Sequence, residues 1–415
     1  MIRSKRVETT RLANVAHKEN AMRTSFGAAG LSMALLLVAG AAAQEPAGKT
    51  AKAQAKTPAK ASVPADVRPR IDVVFVLDTT GSMGGLIEGA KAKIWSIANQ
   101  MISAKPTPRL RIGLVGYRDR GDEYVTKRFD LSDDIDTIYG SLQGFQAGGG
   151  NDTPESVNQA LHEAVNQMSW SPGRDALKIV FLVGDAPPHM DYKDDVKYQA
   201  TCQAAVKKDL IVNTVQCGGI PSTTPVWKEI ASLAEGSYVA IGQTGDMQVV
   251  STPMDDELSR LNREIGTTIV AYGSERERGA VMAKQAVAEA APAAASADRL
   301  AYNAATAKVV QGGGDLVDDL NEGRAKLSDL KKDELPAELK GKTPEQQKAY
   351  LARQEAKRKQ LQVQVAELVK KRQAYVETEM KKAAAEGKGG AFDVEVARTL
   401  KEQAKRKNIA FGTTP

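Results

Sequence analysis

Residues 71–77 (IDVVFVL) are β-branched and apolar over the length of one strand, the pattern of a strand covered on both faces. Comparable runs recur at 110–117 (LRIGLVGY), 177–183 (LKIVFLV), 210–216 (LIVNTVQ) and 238–241 (YVAI). Between them, residues 86–102, 135–142, 154–168, 194–207 and 226–234 carry apolar positions at helical spacing, and 254–269 adds a helix after the last strand. Residues 124–130 (YVTKRFD) alternate instead, as an antiparallel edge strand does. Buried strands alternating with helices predict an α/β fold: a doubly wound, mostly parallel sheet with helices on both faces, spanning residues 71–272.

Strand signals stop there. Residues 273–312 are Ala-rich and broken by Pro292, which reads as a helical or partly disordered connector, and 313–411 reads as a small all-α region. Thr343, Pro344 and Gln346 make a helix start: Thr caps free N–H groups, Pro supplies the first helical φ, and Gln reaches back from the third position. This helix should run to residue 384. Leu361, Val365, Leu368 and Tyr375, at steps of 4, 3 and 7, mark an apolar stripe of the coiled-coil kind. Gln354, Arg358 and Arg372 interrupt it, so a hairpin with a shorter helix at 394–404 is expected rather than a long coiled coil.

At the other end, Arg23, a short apolar stretch at 31–38 and Ala41-Ala42-Ala43 before Gln44 supply the positive start, apolar centre and small-residue cleavage site of a secretory signal. Residues 1–43 are read as that signal, with Met22 as an alternative start, and 44–70, built of Ala, Lys and Pro, as a flexible linker. An uncleaved signal anchor is the other reading of the apolar run. The expected location is periplasmic or secreted. The net charge of +6 arises from interleaved signs with no basic block beside aromatic residues, so nucleic acid is not an expected partner. Membrane contact is expected only through an uncleaved anchor, and the oligomeric state stays open.

An oxidising compartment would let Cys202 and Cys217 pair. Measured from a turn near Asp209, however, they lie about 10 Å back along a helix and roughly 26 Å up a strand. A bridge needs Cα atoms within about 7 Å, so both are expected as small buried hydrophobes.

The first apolar run ends in Asp78-Thr79-Thr80-Gly81-Ser82-Met83, with a helix directly after it. Asp78, Thr80 and Ser82 at alternate positions can aim one carboxylate and two hydroxyls at a single point. Oxygen donors of this kind select hard cations, Mg²⁺ above all, with Mn²⁺ and Ca²⁺ as alternatives. A second carboxylate at the end of another strand would complete the pair, and Asp185, just after residues 177–183, fits.

These residues resemble the D-x-[ST]-x-S motif of von Willebrand factor type A (VWA) domains, the metal-ion-dependent adhesion site, with Asp185 similar to the closing Asp of that family. The resemblance extends to the order of strands and helices over half the chain. It implies a further ligand from the Gly-rich loop at 148–156: Thr153 by likeness to most of the family, Glu155 by likeness to the Asp-x-Pro-Glu of integrin β subunits. Both remain open, since Pro154 and Glu155 also read as a plain helix start capped by Thr153. The acidic pair that integrin β subunits use for a neighbouring calcium is absent, because Gly84, Gly85 and Leu86 follow Met83.

The resemblance implies a cation with one open position that a protein partner fills with a carboxylate. Two other uses compete: a cation that only ties the loops of an envelope scaffold, and a metal-dependent hydrolase. Nothing else in the sequence supports an enzyme. His189 stands alone in its loop, His162 lies on a helix face, and Gly148-Gly149-Gly150 lacks the Lys-Ser or Lys-Thr of a phosphate loop.

Overall fold

The computed structural model describes residues 68–150, 153–386 and 391–411; the expected signal sequence, the start at Met22 and nearly all of the linker lie outside them. From Arg70 the chain alternates strand and helix: β1 (Arg70–Asp78), α1 (Gly84–Ile102), β2 (Ala104–Lys105), β3 (Arg109–Tyr117), β4 (Thr126–Ser132), α2 (Ile135–Gln143) and α3 (Val157–Asn166). It continues through β5 (Ala176–Gly184), α4 (Tyr198–Lys207), β6 (Ile211–Cys217), α5 (Thr223–Leu233), β7 (Tyr238–Ile241) and α6 (Asp255–Gly266). Six of these strands form one sheet in the order β4-β3-β1-β5-β6-β7, parallel except for β4, which is the antiparallel edge.

Side chains alternate across a strand, and β1 feeds two cores. Val73, Phe75 and Leu77 join α1 and α2 on one face; Val74 and Val76 join α3, α4 and α5 on the other. That two-sided burial is why β1 and β5 read as unbroken apolar runs while β4, half-exposed, alternates. Trp95 and Trp227 are buried, one in each core. Cys202 and Cys217 are free and buried, and burial pushes the Cys202 thiol up to about 12.

Residues 273–312 are largely helical. They form α7 (Glu275–Ala290), opened by a Ser274/Glu277 capping box, and α8 (Ala293–Thr306), which packs between α1 and α6. Buried Ala294, Ala295 and Ala297 line α8. Arg299 of α8 reaches Asp136 of α2 in two bonds, at 2.6 and 3.0 Å, with both side chains buried.

The remaining elements are α9 (Leu316–Asn321), α10 (Pro344–Ala385), α11 (Phe392–Ala404) and β8 (Ala410–Phe411), which pairs with β2. The first three positions of the α10 stripe pack on α6 and α8, not on a coiled-coil partner: Leu361 and Val365 are buried there with Leu368 beside them, while Tyr375 is exposed. The two arginines that interrupt the stripe anchor the same helix to buried acids, Arg358 at α9 and Arg372 at α6 and α8. Arg358 binds Asp315 and Asp318 at 2.5 Å each, and Arg372 binds Asp255 at 2.7 Å and Asp298 at 2.5 Å. The expected hairpin with α10 is replaced by packing of α11 on α1 and β5. Among the described residues no helix is long and apolar enough to cross a membrane.

Candidate metal centre

Asp78 is the last residue of β1 and Asp185 the first after β5, so their carboxylates stand at the carboxyl ends of adjacent parallel strands. The strand order reverses at β1, where doubly wound sheets open a crevice. The backbone N–H and the hydroxyl of Thr80 both donate to Asp78 Oδ1, at 2.9 and 2.6 Å, and the Ser82 hydroxyl lies 3.3 Å from that of Thr80. The alternate spacing thus brings one carboxylate and two hydroxyls together, and buries all but Ser82.

The Gly-rich loop is fastened against this turn. Gly148 N–H donates to Thr79 O at 3.1 Å, and Gly81 N–H to Gly149 O at 3.2 Å. Arg118, just past β3, holds both sides through Thr79 O at 3.1 Å and Gln146 O at 2.7 Å. Gly150 has φ +66°, and a Cβ there would come 2.5 Å from Thr80 Cβ and 3.0 Å from Glu155 Oε1. Only glycine lets the loop pass between those side chains.

Glu155 does not sit in a helical turn. Its N–H donates to Pro187 O at 2.9 Å and its carbonyl accepts from His189 N–H at 3.0 Å, so α3 begins only at Val157. Those bonds to the loop after β5 replace the helical ones and leave the Glu155 side chain buried beside Thr80, only 2% exposed. Thr153 is exposed; Asn151 and Asp152 of the same loop lie outside the described residues.

Asp78 Oδ2 and Glu155 Oε2 are buried without a hydrogen-bond partner. Burial, opposed by the Thr80 bonds and reinforced by Asp185, pushes the Asp78 carboxyl up to about 7. Burial, then the charges of Asp78, Asp119, Asp122 and Asp185, push Glu155 up to about 9. An ionised carboxylate held this way costs several kcal/mol unless a counter-charge arrives. Among the described residues no three His, Cys, Asp or Glu side chains form a ready-made cage. The donors that do converge are mixed, carboxylates with hydroxyls, and orphaned oxygens among hydroxyls suit a hard cation.

Several residues at the site carry no obvious motif. Asp119 accepts from the hydroxyls of Ser156 at 2.7 Å and Tyr192 at 2.8 Å; Asp122 accepts from Gly150 N–H at 3.1 Å; Gln243 donates to Asp185 Oδ2 at 2.7 Å. The signal for the two acids was their place just beyond a buried strand, at the same edge as Asp78. His189 is held by Asp191 at 2.8 Å and stacks on Tyr192 with ring centroids 4.0 Å apart. His162 meets Asn166, one turn on along α3.

Residues 72–252 match the family model for the von Willebrand factor A domain. The chain is 36% identical over 123 residues to von Willebrand factor A domain-containing protein 7 of Mus musculus, covering 30% of this chain and 13% of that protein. A putative ariadne-like RING finger protein of Acanthamoeba polyphaga mimivirus is 22% identical over 232 residues, covering 51% of this chain and 23% of the other. The chain therefore spans less than a quarter of either relative's length. Among solved structures it is similar to proximal thread matrix protein 1 from the mussel byssus with a zinc-occupied MIDAS motif, at 16% identity, 42% of each chain and a TM-score of 0.33. The VWA domain of SpRpn10 matches at 14% identity, 42% of this chain, 89% of that chain and a TM-score of 0.33.

Proposed function

We propose that the von Willebrand factor A domain at residues 72–252 holds a divalent cation at the carboxyl ends of β1 and β5 and through it binds a protein that offers a carboxylate, outside the cytoplasm. The observation that carries this reading is the pair of buried, unpartnered oxygens, Asp78 Oδ2 and Glu155 Oε2, beside the Thr80 and Ser82 hydroxyls. Asp78, Thr80, Ser82 and Asp185 would hold the cation, with Glu155 from the third loop. Thr153, on the exposed side of that loop, is the weaker claimant. Mg²⁺ suits the all-oxygen set best, with Mn²⁺ and Ca²⁺ as alternatives.

The cation would supply one charge-assisted bond to the partner's carboxylate, and the loops around it the specificity. The location outside the cytoplasm rests on the signal-like residues 26–43.

Affinity capture from an envelope extract tests the proposal, using the full chain with Mg²⁺, with chelator, and with Asp78→Ala. A partner retained with Mg²⁺ and lost in the other two is expected. A partner retained equally in all three would leave the cation a fastener of loops.

A further inference from the structure

Asp185 is held on its outer side by an amide. Gln243 Nε2 donates to Asp185 Oδ2 at 2.7 Å, and the same nitrogen lies 3.3 Å from Ser82 O. One side chain therefore touches both the loop after β5 and the turn after β1. Gln243 stands in the turn after β7, whose shape is fixed internally: Asp246 accepts from Gly242 N–H at 3.0 Å and from the Thr244 hydroxyl at 3.2 Å.

The rest of the fold makes room for this turn and fastens it. Gly218, at φ +70° after β6, lies where a Cβ would collide with Gln243 Oε1, and a Cβ on Gly85 would come 2.9 Å from Thr244 Cγ2. From the far end of the sequence, Phe392 N–H at the start of α11 donates to Gly245 O at 2.9 Å. The buried Phe392 ring meets Phe75 of β1 edge-on, centroids 6.1 Å apart.

We infer that Gln243 is a positioning residue of the cation site: its amide fixes the Asp185 carboxylate, and Gly218 and α11 keep the amide in place. The inference rests on the cation reading of Asp78 and Asp185. A bond of this kind spares a ligand the cost of being oriented when the cation arrives, and its loss typically weakens metal affinity by about 10- to 100-fold.

The test is a calorimetric titration of Mg²⁺ and Mn²⁺ into the full chain, comparing wild type, Asp78→Ala, Gln243→Met, Gly218→Ala and the Gln243→Met/Gly218→Ala pair. Met keeps the length of Gln and removes the donor. Wild type should bind one cation per chain and Asp78→Ala none, while Gln243→Met should bind about tenfold more weakly or worse with its melting temperature in chelator unchanged. The pair should bind no more weakly than the weaker single variant, because both act through one amide. Wild-type affinity in Gln243→Met would overturn the role of Gln243 alone. Additive losses in the pair would overturn its seating by Gly218. A wild type that binds neither ion would overturn the cation reading and this inference together.

Discussion

Where α8 and α10 pack against their neighbours, buried acids are met by arginines: Asp136 by Arg299, Asp315 and Asp318 by Arg358, Asp255 by Arg372. At the carboxyl ends of β1 and β5, Asp78 and Glu155 are just as buried, yet one oxygen of each has no partner. The side chains and the burial are alike; the counter-charge is not. The helical interface is completed by folding. The carboxyl end of the sheet is left with buried oxygens that only a proton or a cation from solution can balance, and that difference separates structural acids from a binding site.

The largest expected effect tests the completed side. Arg299→Met strands the Asp136 carboxylate and should cost about 3–5 kcal/mol in chemical denaturation, equally with and without divalent cation. A loss no larger than that of an exposed pair, about 0–1 kcal/mol, would erase the contrast. At the open side, wild type should gain about 2.7 kcal/mol at a cation concentration a hundredfold above Kd. Asp78→Asn should lose that gain while melting in chelator no lower than wild type, because it removes a charge from an acid cluster. A clear fall in its chelator melting temperature would mean that Asp78 is structural.

The pH dependence sharpens the same contrast. Folding raises the Asp78 carboxyl to about 7 and that of Glu155 to about 9, from ordinary values near 4. Acids raised in the folded state bind more protons there than in the unfolded chain. Their contribution is therefore complete below about pH 4 and is lost as pH rises through about 7 and then 9. Melting curves in chelator should decline over that window and flatten in saturating Mg²⁺, where the cation replaces the proton. A chelator curve that rises instead would contradict the open-site description. The smallest effect separates the two residues of the Gly-rich loop: Glu155→Gln should weaken cation affinity about tenfold, and exposed Thr153→Ala by less than about twofold.

The sheet was legible because strands buried on both faces leave unbroken apolar runs, and the edge strand because one exposed face leaves alternation. Asp78, Thr80 and Ser82 were legible for being contiguous, and Asp185 for ending a buried run. What the sequence hid depends on distant neighbours. Alanines at 293–297 look like linker until α1 and α6 close around them. Arg358 and Arg372 look like breaks in a stripe until Asp315, Asp318 and Asp255 come round to meet them. Pro154 looks like a helix start until the 187–189 loop takes the backbone bonds of Glu155. Gln243 follows a strand of four residues and belongs to no motif, and only the folded chain brings it to Asp185.

The most direct test of the unbalanced carboxyl end of the sheet is a count of bound Mn²⁺ per chain by electron paramagnetic resonance, for wild type and Asp78→Asn at equal protein concentration. One ion per wild-type chain, displaced by excess Mg²⁺ and missing from Asp78→Asn, is the predicted result. No bound ion in wild type, or the same count in Asp78→Asn, would contradict a cation site built on Asp78.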